Sequence, residues 1–298
     1  MAEAELRISE RPELERPVLV AAFRGWNDGA QAASLAAGYL ARLWDAEKFA
    51  EIDPEGFFDF QATRPHVSLV DGVTRRIDWP ETSFYHCRPR GLDRDVVLLL
   101  GIEPNLRWRT FCGLVGDLVR DLGVELAVTL GALLADVPHT RPSPVTGSAT
   151  DEKLVEELGL STSRYEGPTG IVGVLHDACR EAGIPSASLW AAVPHYVSLT
   201  PSPRAAQALC ERLGQLLGIT ISIGELEQAG EAYAEQVTQA VASDEETAQY
   251  VEELERRVDS IEEHADLPSG DALAAELTRF LREREANGED EQPGPREQ

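Results

Sequence analysis

A chain of 298 residues, 43% of them hydrophobic, can hold one large domain with an appendage or two modest domains. Its formal net charge of −25 repels phosphate backbones and anionic lipid headgroups, which argues against nucleic acid and membrane surfaces as partners. No apolar run approaches the ~18 residues of a membrane helix, and the first residues lack the basic and apolar regions of a signal peptide. A cytoplasmic protein is therefore expected.

The four cysteines are Cys87, Cys112, Cys179 and Cys210. They show neither C-x-x-C pairs nor histidines at the spacing of zinc ligands. So few cysteines in a chain of this length do not form a disulfide framework. We predict buried, reduced thiols, no metal site and no cofactor.

The first clear element is a strand–turn–helix unit. Val18–Phe23 is an uninterrupted apolar run, typical of a strand buried on both faces, and residues 30–44 predict an alanine-rich helix. In the turn between them, Asn27 or Asp28 can cap the helix by accepting its first N–H groups. Ligands of open α/β sheets usually bind at this edge. The turn is therefore either a binding site or only architecture.

Residues 50–90 are the least regular part of the core. Residues 57–60 and 67–70 predict short strands, and the Asp71-Gly72 pair is typical of a hairpin turn. Residues 73–79 would form the returning strand. We predict a flap or an antiparallel extension of the sheet here.

From residue 95 onward, strands and helices alternate. The predicted strands are residues 95–101, 125–130 and 187–193, and the predicted helices are residues 108–122, 151–158, 171–182 and 203–217. Such alternation predicts an α/β fold, in which a mostly parallel sheet is covered by helices on both faces.

After Gly218 the composition becomes acidic. Apolar residues at helical spacing form three narrow stripes within residues 226–241, 251–261 and 273–281. A narrow stripe does not stabilise a lone helix in water, so these helices should pack on the core, on one another or on a neighbouring subunit. Residues 287–298 contain almost no apolar side chains, which predicts disorder.

These patterns divide the chain into four parts. They are a charged lead-in segment (1–16), an α/β core domain (17–218), an acidic helical extension (219–286) and a disordered tail (287–298). Residues 225–298 contain 22 acidic and 6 basic residues, so they carry −16 of the total charge of −25.

Polar side chains follow two of the predicted strands. Glu103 and Asn105 come after the strand at 95–101, as Asn27 and Asp28 come after the first strand. If the two strands are neighbours, these four side chains can converge at one rim of the sheet. Two carboxylates there would suit Mg²⁺ or acid–base chemistry. The alternative is that all four build turns and cap helices.

A second set of polar residues follows later strands. His139 and Arg141 lie in a proline-bracketed loop, and His195 follows the strand at 187–193. Imidazole titrates near neutral pH, and a guanidinium can bind a carboxylate or phosphate through two hydrogen bonds. Together they would suit a small anion. The alternative is an ion pair with Asp136 that anchors the loop.

The turn before the helix at 171–182 is a further candidate anion site. Thr169 and Gly170 lie where the N–H groups at the start of that helix point outward. The turn has no phosphate-loop lysine, the chain has only two lysines, and no Gly-x-Ser-x-Gly elbow is present. No catalytic residue is therefore assigned.

Five different motifs follow one another along about residues 17–265. They are Gly25-Trp26-Asn27-Asp28-Gly29, residues 101–105 followed by Trp108, Gly131 with residues 136–141, residues 165–171 and residues 191–196. Together they resemble the actinobacterial branch of the proteasome assembly chaperone 2 family, which older labelling ties to the ATP-grasp superfamily. The resemblance implies an α/β core similar to the nucleoside phosphorylase and hydrolase architecture, with a helical C-terminal extension.

For function, the resemblance implies a homo-oligomeric interaction protein, with a trimer as the expected state, proteasome components as protein partners and no established enzymatic activity. Eukaryotic and archaeal relatives dock on proteasome α-rings through a C-terminal hydrophobic–tyrosine–any motif. This sequence ends in Gly-Pro-Arg-Glu-Gln, so docking through that motif is not expected. The alternative is a binder of, or enzyme acting on, a nucleotide, nucleoside or other anion at the strand-end rim.

Overall fold

The computed structural model describes residues 5–149, 152–163 and 165–264. The strands are β1 (Leu6–Ile8), β2 (Val18–Arg24), β3 (Glu47–Ile52), β4 (His66–Val70), β5 (Thr74–Asp78), β6 (Thr82–Cys87), β7 (Val96–Ile102), β8 (Leu126–Ala135), β9 (Val145–Ala149), β10 (Ser161–Thr162) and β11 (Ser186–Pro194). The α-helices are α1 (Ala32–Leu43), α2 (Trp108–Asp121), α3 (Glu152–Leu158), α4 (Ile171–Glu181), α5 (Pro203–Leu217), α6 (Gly224–Val241) and α7 (Glu245–His264). Short 3₁₀ helices span Gly29–Gln31 and Pro54–Gly56.

Nine strands form one mixed sheet in the order β1-β3-β6-β7-β2-β8-β11-β9-β10. Its centre, from β7 through β2 and β8 to β11, is parallel. On one side β6, β3 and β1 continue the sheet in antiparallel fashion, and on the other side β9 pairs antiparallel to β11. The predicted α/β fold with a mostly parallel core is confirmed.

Helices cover both faces of the sheet. Along β2, Val18, Val20 and Ala22 lie in the apolar cluster that contains residues of α1 and α5. The alternate residues of β2 lie in a second cluster with residues of α2 and α4. Because successive side chains of a strand point to opposite faces, a strand covered on both sides must be apolar at every position. This explains the uninterrupted run Val18–Phe23.

Two segments differ from the sequence-based expectation. Residues 57–60 are not a strand: they form turns after the 3₁₀ helix at Pro54–Gly56, where Phe57 and Phe58 are both buried. The Phe57 carbonyl instead accepts the N–H groups of Asn105 and Leu106. Strand β8 also continues past residue 130 to Ala135, because it pairs with β11 from Ala127 to Ala135.

The predicted hairpin is confirmed as β4 and β5, which form a separate two-stranded sheet. Asp71 and Gly72 at its turn have φ values of 52° and 73°. Positive φ at both central residues is the geometry of the tight turns that match the twist of a hairpin.

Helices α6 and α7 follow the last core helix. Leu226, Tyr233 and Val237 of α6 are buried, as are Val251 and Leu254 of α7. These five residues of the first two predicted stripes thus face the protein, whereas Ala229 of the first stripe is exposed. The third stripe at 273–281 and the tail at 287–298 lie outside the described residues.

All four cysteines are buried free thiols, as predicted. Burial raises the pKa of Cys87, Cys112 and Cys210 to about 12 each. Within the described part of the chain, no helix combines the length and apolar character needed to cross a membrane.

His176 on α4 makes the stability of the fold dependent on pH. Its Nε2 lies 3.0 Å from Thr129 Oγ1 and its Nδ1 lies 2.8 Å from Ser186 Oγ. Burial lowers its pKa from 6.5 to about 4. Between those pH values the unfolded chain therefore binds a proton that the folded chain does not, so lowering the pH favours unfolding.

We predict that His176 lowers the free energy of unfolding by about 2–3 kcal/mol as the pH falls from 6.5 to 4. Urea denaturation at a series of pH values measures this loss. His176→Gln should reduce the slope of stability against pH in that window. A variant with the wild-type slope would show that other groups are responsible.

Candidate functional site

At the carboxyl ends of β2 and β7, one carboxylate joins three segments of the chain. Glu103 follows β7, and its Oε2 accepts the N–H of Trp26 at 3.1 Å in the turn after β2. Its Oε1 accepts the N–H of Ile171, the first residue of α4, at 2.8 Å. Helix N-terminal N–H groups of this kind attract anions. At the N-terminus of α4, the carboxylate of Glu103 occupies the position where an external anion would bind.

Asn27 and Gly170 lie in close contact beside Glu103. The Asn27 side chain is buried, and its Oδ1 has no hydrogen-bond partner within the described ranges. A Cβ atom on Gly170 would overlap this Oδ1 and would lie 2.8 Å from Glu103 Oε1. Gly170 has an ordinary φ of −95°, so close packing, not backbone conformation, requires a glycine here. We call Asn27, Glu103 and Gly170 the strand-end cluster.

Asp28 points away from this cluster and caps α1. Its Oδ1 accepts the N–H groups of Ala33 at 2.8 Å and Ser34 at 3.2 Å. Burial raises the pKa of this carboxyl, although hydrogen bonds from Ser34 and Ala33 act in the opposite direction. The capping role predicted for this turn is confirmed for Asp28.

Asn105 and Thr169 make local contacts. Asn105 Oδ1 accepts the N–H of Asp59 and the hydroxyl of Thr63, each at 3.0 Å, and so orders the loop that leads to the hairpin. Thr169 is exposed, and its hydroxyl lies against Gly173 in the first turn of α4. Of the four residues that could have converged after β2 and β7, only Asn27 and Glu103 do so.

The second set of candidates lies under the C-terminal helices. The Tyr196 hydroxyl accepts the backbone N–H of His139 and lies 2.8 Å from His139 Nδ1, while His139 Nε2 lies 3.0 Å from Thr238 Oγ1 on α6. Thr238 donates its own hydroxyl hydrogen to the Ala234 carbonyl. This assigns a neutral His139 that accepts at Nδ1 and donates at Nε2. Burial lowers the His139 pKa, which favours the same neutral form.

His195 contacts α7 through a tyrosine and an aspartate. Its Nε2 lies 3.0 Å from the Tyr250 hydroxyl and 3.1 Å from Asp136 Oδ1. Tyr250 in turn donates to Asp136 at 2.8 Å. The rings of His195, Tyr196 and Tyr250 pack edge to face with centroids 5.6–6.0 Å apart.

Arg141 binds Asp259 on α7 through two hydrogen bonds of 2.8 Å each, from Nε and from one terminal nitrogen. The guanidinium lowers the pKa of Asp259. Asp136, the partner named in the alternative, lies against His195 at 3.1 Å and accepts a hydrogen bond from Tyr250, whereas the bidentate partner of Arg141 is Asp259. Together with the Thr140 hydroxyl, which donates to Glu255, these bonds attach α7 to the core.

The partners of His139, His195 and Arg141 were not identified from the sequence. Thr238, Tyr250 and Asp259 lie in helices far along the chain, up to 118 residues from the group they bind. One feature of the sequence could have indicated these partners. Glu255 and Asp259 lie one helical turn apart beside the apolar stripe of α7, where acidic side chains can reach the core. Within the part of the chain that the structure describes, no group of three His, Cys, Asp or Glu side chains could hold a metal ion.

We predict that Arg141→Gln loosens α7 without unfolding the core, because it removes both bonds to Asp259. Amide hydrogen exchange in α7 should become faster, while exchange in the central strands should keep the wild-type rate. Arg180→Gln is a matched control, since its exposed pair with Asp177 lies within α4. Unchanged exchange in α7 would contradict the attachment role of Arg141.

The chain is similar to a known protein family and to several solved structures. A family model described as the PAC2 family matches residues 22–241. A PAC2 family protein from Streptomyces avermitilis is 50% identical, with a TM-score of 0.73, and the match covers 79% of this chain and 99% of that chain. A proteasome-assembly chaperone homologue from Mycobacterium tuberculosis is also 50% identical, with a TM-score of 0.71 and coverage of 78% and 99%.

A second M. tuberculosis protein, of unknown function, is 29% identical with a TM-score of 0.81, and the match covers 95% of this chain and 97% of that chain. No curated protein matches the chain. The family model matches most of this sequence, and the alignments of this chain with the two 50% identical structures cover 99% of each of those structures. The chain therefore belongs to the PAC2 family.

Proposed function

We propose that this chain is a cytosolic, self-associating interaction protein, a trimer, that binds proteasome components. The observation that carries the proposal is that three of its candidate ligand-binding side chains, Glu103, Asp28 and Arg141, are bonded to the protein itself. Glu103 joins α4 to the turn after β2, Asp28 caps α1, and Arg141 holds α7. Groups used in this way stabilise a scaffold. The relative named as a proteasome-assembly chaperone homologue supports the choice of partner.

The C-terminal helices offer a charged surface for such a partner. Residues 224–264 contain 13 acidic and 2 basic residues. On α6, Glu227, Glu231 and Glu235 recur every fourth residue and are all exposed, so they form one acidic row. Complementary charge mainly accelerates association and selects the partner. We propose that this row faces a basic surface on the bound protein.

Binding of purified proteasome subunits to the immobilised full chain tests this function. Replacing Glu227, Glu231 and Glu235 by Gln should slow association by roughly tenfold at low salt and weaken its salt dependence. Gln at Glu10, Glu13 and Glu47, which are also exposed, is the matched control. If the wild-type chain does not bind any subunit at micromolar concentration, the proposed partner is wrong. Equal association rates for both triple variants would rule out the acidic row.

A second candidate function is the binding of a nucleotide, nucleoside or other anion at the strand-end rim. The observation in its favour is the buried Asn27 Oδ1, which no hydrogen-bond donor in the described ranges satisfies. A thermal-shift panel of nucleotides, nucleosides and phosphate tests it. A ligand that raises the melting temperature of the wild-type protein, but not of Asn27→Ser, would support this function. If no compound does so, it is rejected.

A further inference from the structure

The β4–β5 hairpin presents an apolar face that nothing in the described structure covers. Val67 and Ile77 form a cross-strand pair with 63% and 54% of their surfaces exposed, and Leu69 beside them is 63% exposed. Val73 near the tip is 83% exposed and Trp79 at the base is 49% exposed. By contrast, the exposed apolar side chains elsewhere belong to separate segments, which is ordinary for a protein surface.

The hairpin is also too small to be stable by itself. It has two strands of five residues and, within the described residues, pairs with no other strand. An isolated two-stranded hairpin is marginal in water unless a further layer covers its apolar face. Its alternating pattern provides one such face, since Ser68 and Arg76 pair on the opposite side.

Local charge indicates which partner can approach this face. Residues 64–79 contain three arginines and two aspartates, a net charge of +1 in a chain of −25. Two copies of so acidic a chain repel each other over most of their surfaces, and the repulsion is weakest where the local charge is not negative. Arg75, opposite Leu69, can extend its aliphatic stem over the face and place its guanidinium at the rim.

We propose that this face packs against the same face of further copies of the chain, so that the three hairpins of a trimer meet around its three-fold axis. The inference rests on the proposed self-association and names the surface that mediates it. A strand pair of five residues spans only about 17 Å, which is less than a standard interface of ~800 Å² per partner needs. The contact therefore continues over the hairpin base, where Trp79 packs on Phe60 at 4.8 Å between ring centroids.

Face-specific crosslinking of the full chain tests the proposal. Because the four native cysteines are buried, a single introduced cysteine is the accessible thiol for a short bismaleimide. Leu69→Cys, on the apolar face, should give covalent dimers. Val70→Cys, one residue later on the opposite face and 37% exposed, is the matched control and should give none.

A second variant measures the energetic contribution of the face. Val67→Thr with Ile77→Thr keeps β-branched side chains but removes apolar surface, and should weaken self-association tenfold or more in light scattering. The melting temperature at low concentration should stay close to that of the wild type, because both side chains lie outside the core. The hairpin interface alone would be overturned if the wild type is oligomeric, Leu69→Cys gives no crosslink, and the double Thr variant self-associates as strongly as the wild type. A monomeric wild type would refute self-association itself.

Discussion

Gly170→Ala should destabilise the protein by about 3 kcal/mol, at the upper end of what overpacking a buried site costs. The added Cβ would overlap Asn27 Oδ1 and lie 2.8 Å from both Asn27 Cγ and Glu103 Oε1. Asn27 cannot move aside easily, because it is buried and its backbone carbonyl accepts the N–H of Ala132. Urea denaturation followed by circular dichroism measures the loss.

Two further variants separate this overlap from a general effect of replacing glycine. Gly113→Ala in α2 adds a Cβ that meets no atom of the described residues within 4 Å, so it should be neutral or slightly stabilising. Gly170→Ala should also cost at least about 1 kcal/mol less when Asn27 is already alanine, because the overlapping amide is then absent. If both backgrounds lose the same stability, Asn27 does not make this contact.

Glu103→Ala should destabilise the protein by about 3 kcal/mol, since each hydrogen bond to a charged group contributes roughly 1.5–3 kcal/mol. The variant removes the acceptor of both the Trp26 and the Ile171 N–H groups. Glu103→Gln keeps one carbonyl oxygen and should lose about half as much stability. Faster amide exchange in the first turn of α4 should accompany both changes.

Glu166→Ala is the control for Glu103→Ala, because Glu166 is an exposed carboxylate in the loop that leads to the same helix. It should change the free energy of unfolding by less than about 0.5 kcal/mol. If Glu103→Ala were equally mild, the carboxylate would not be a structural link, and a ligand role at this rim would regain support.

The centre of the fold could be predicted from the sequence because burial on both faces leaves a simple pattern. The strand Val18–Phe23 and the helix at 203–217 appear almost unchanged in the structure. The strands β3 and β6 on the antiparallel side of the sheet were not predicted, because their mixed polar and apolar residues resemble loops. Residues 57–60 were predicted as a strand, since aromatic runs favour strands, but the preceding Pro54 starts a 3₁₀ turn instead.

The candidate site could be predicted only in part, since chain order shows which residues follow a strand but not where their side chains point. Asn27 and Asp28 are adjacent, yet one lies against α4 and the other caps α1. The attachment of α7 depends on pairs such as Arg141 with Asp259, 118 residues apart. No local pattern specifies a partner at that distance.

The mass of the full chain in solution, measured by size-exclusion chromatography with light scattering, tests directly whether the protein self-associates. Self-association as a trimer predicts a species of three times the 32.6 kDa chain mass at micromolar concentration, which dissociates on dilution or with the Val67→Thr and Ile77→Thr changes. A single species of 32.6 kDa at every concentration would show that the chain does not self-associate.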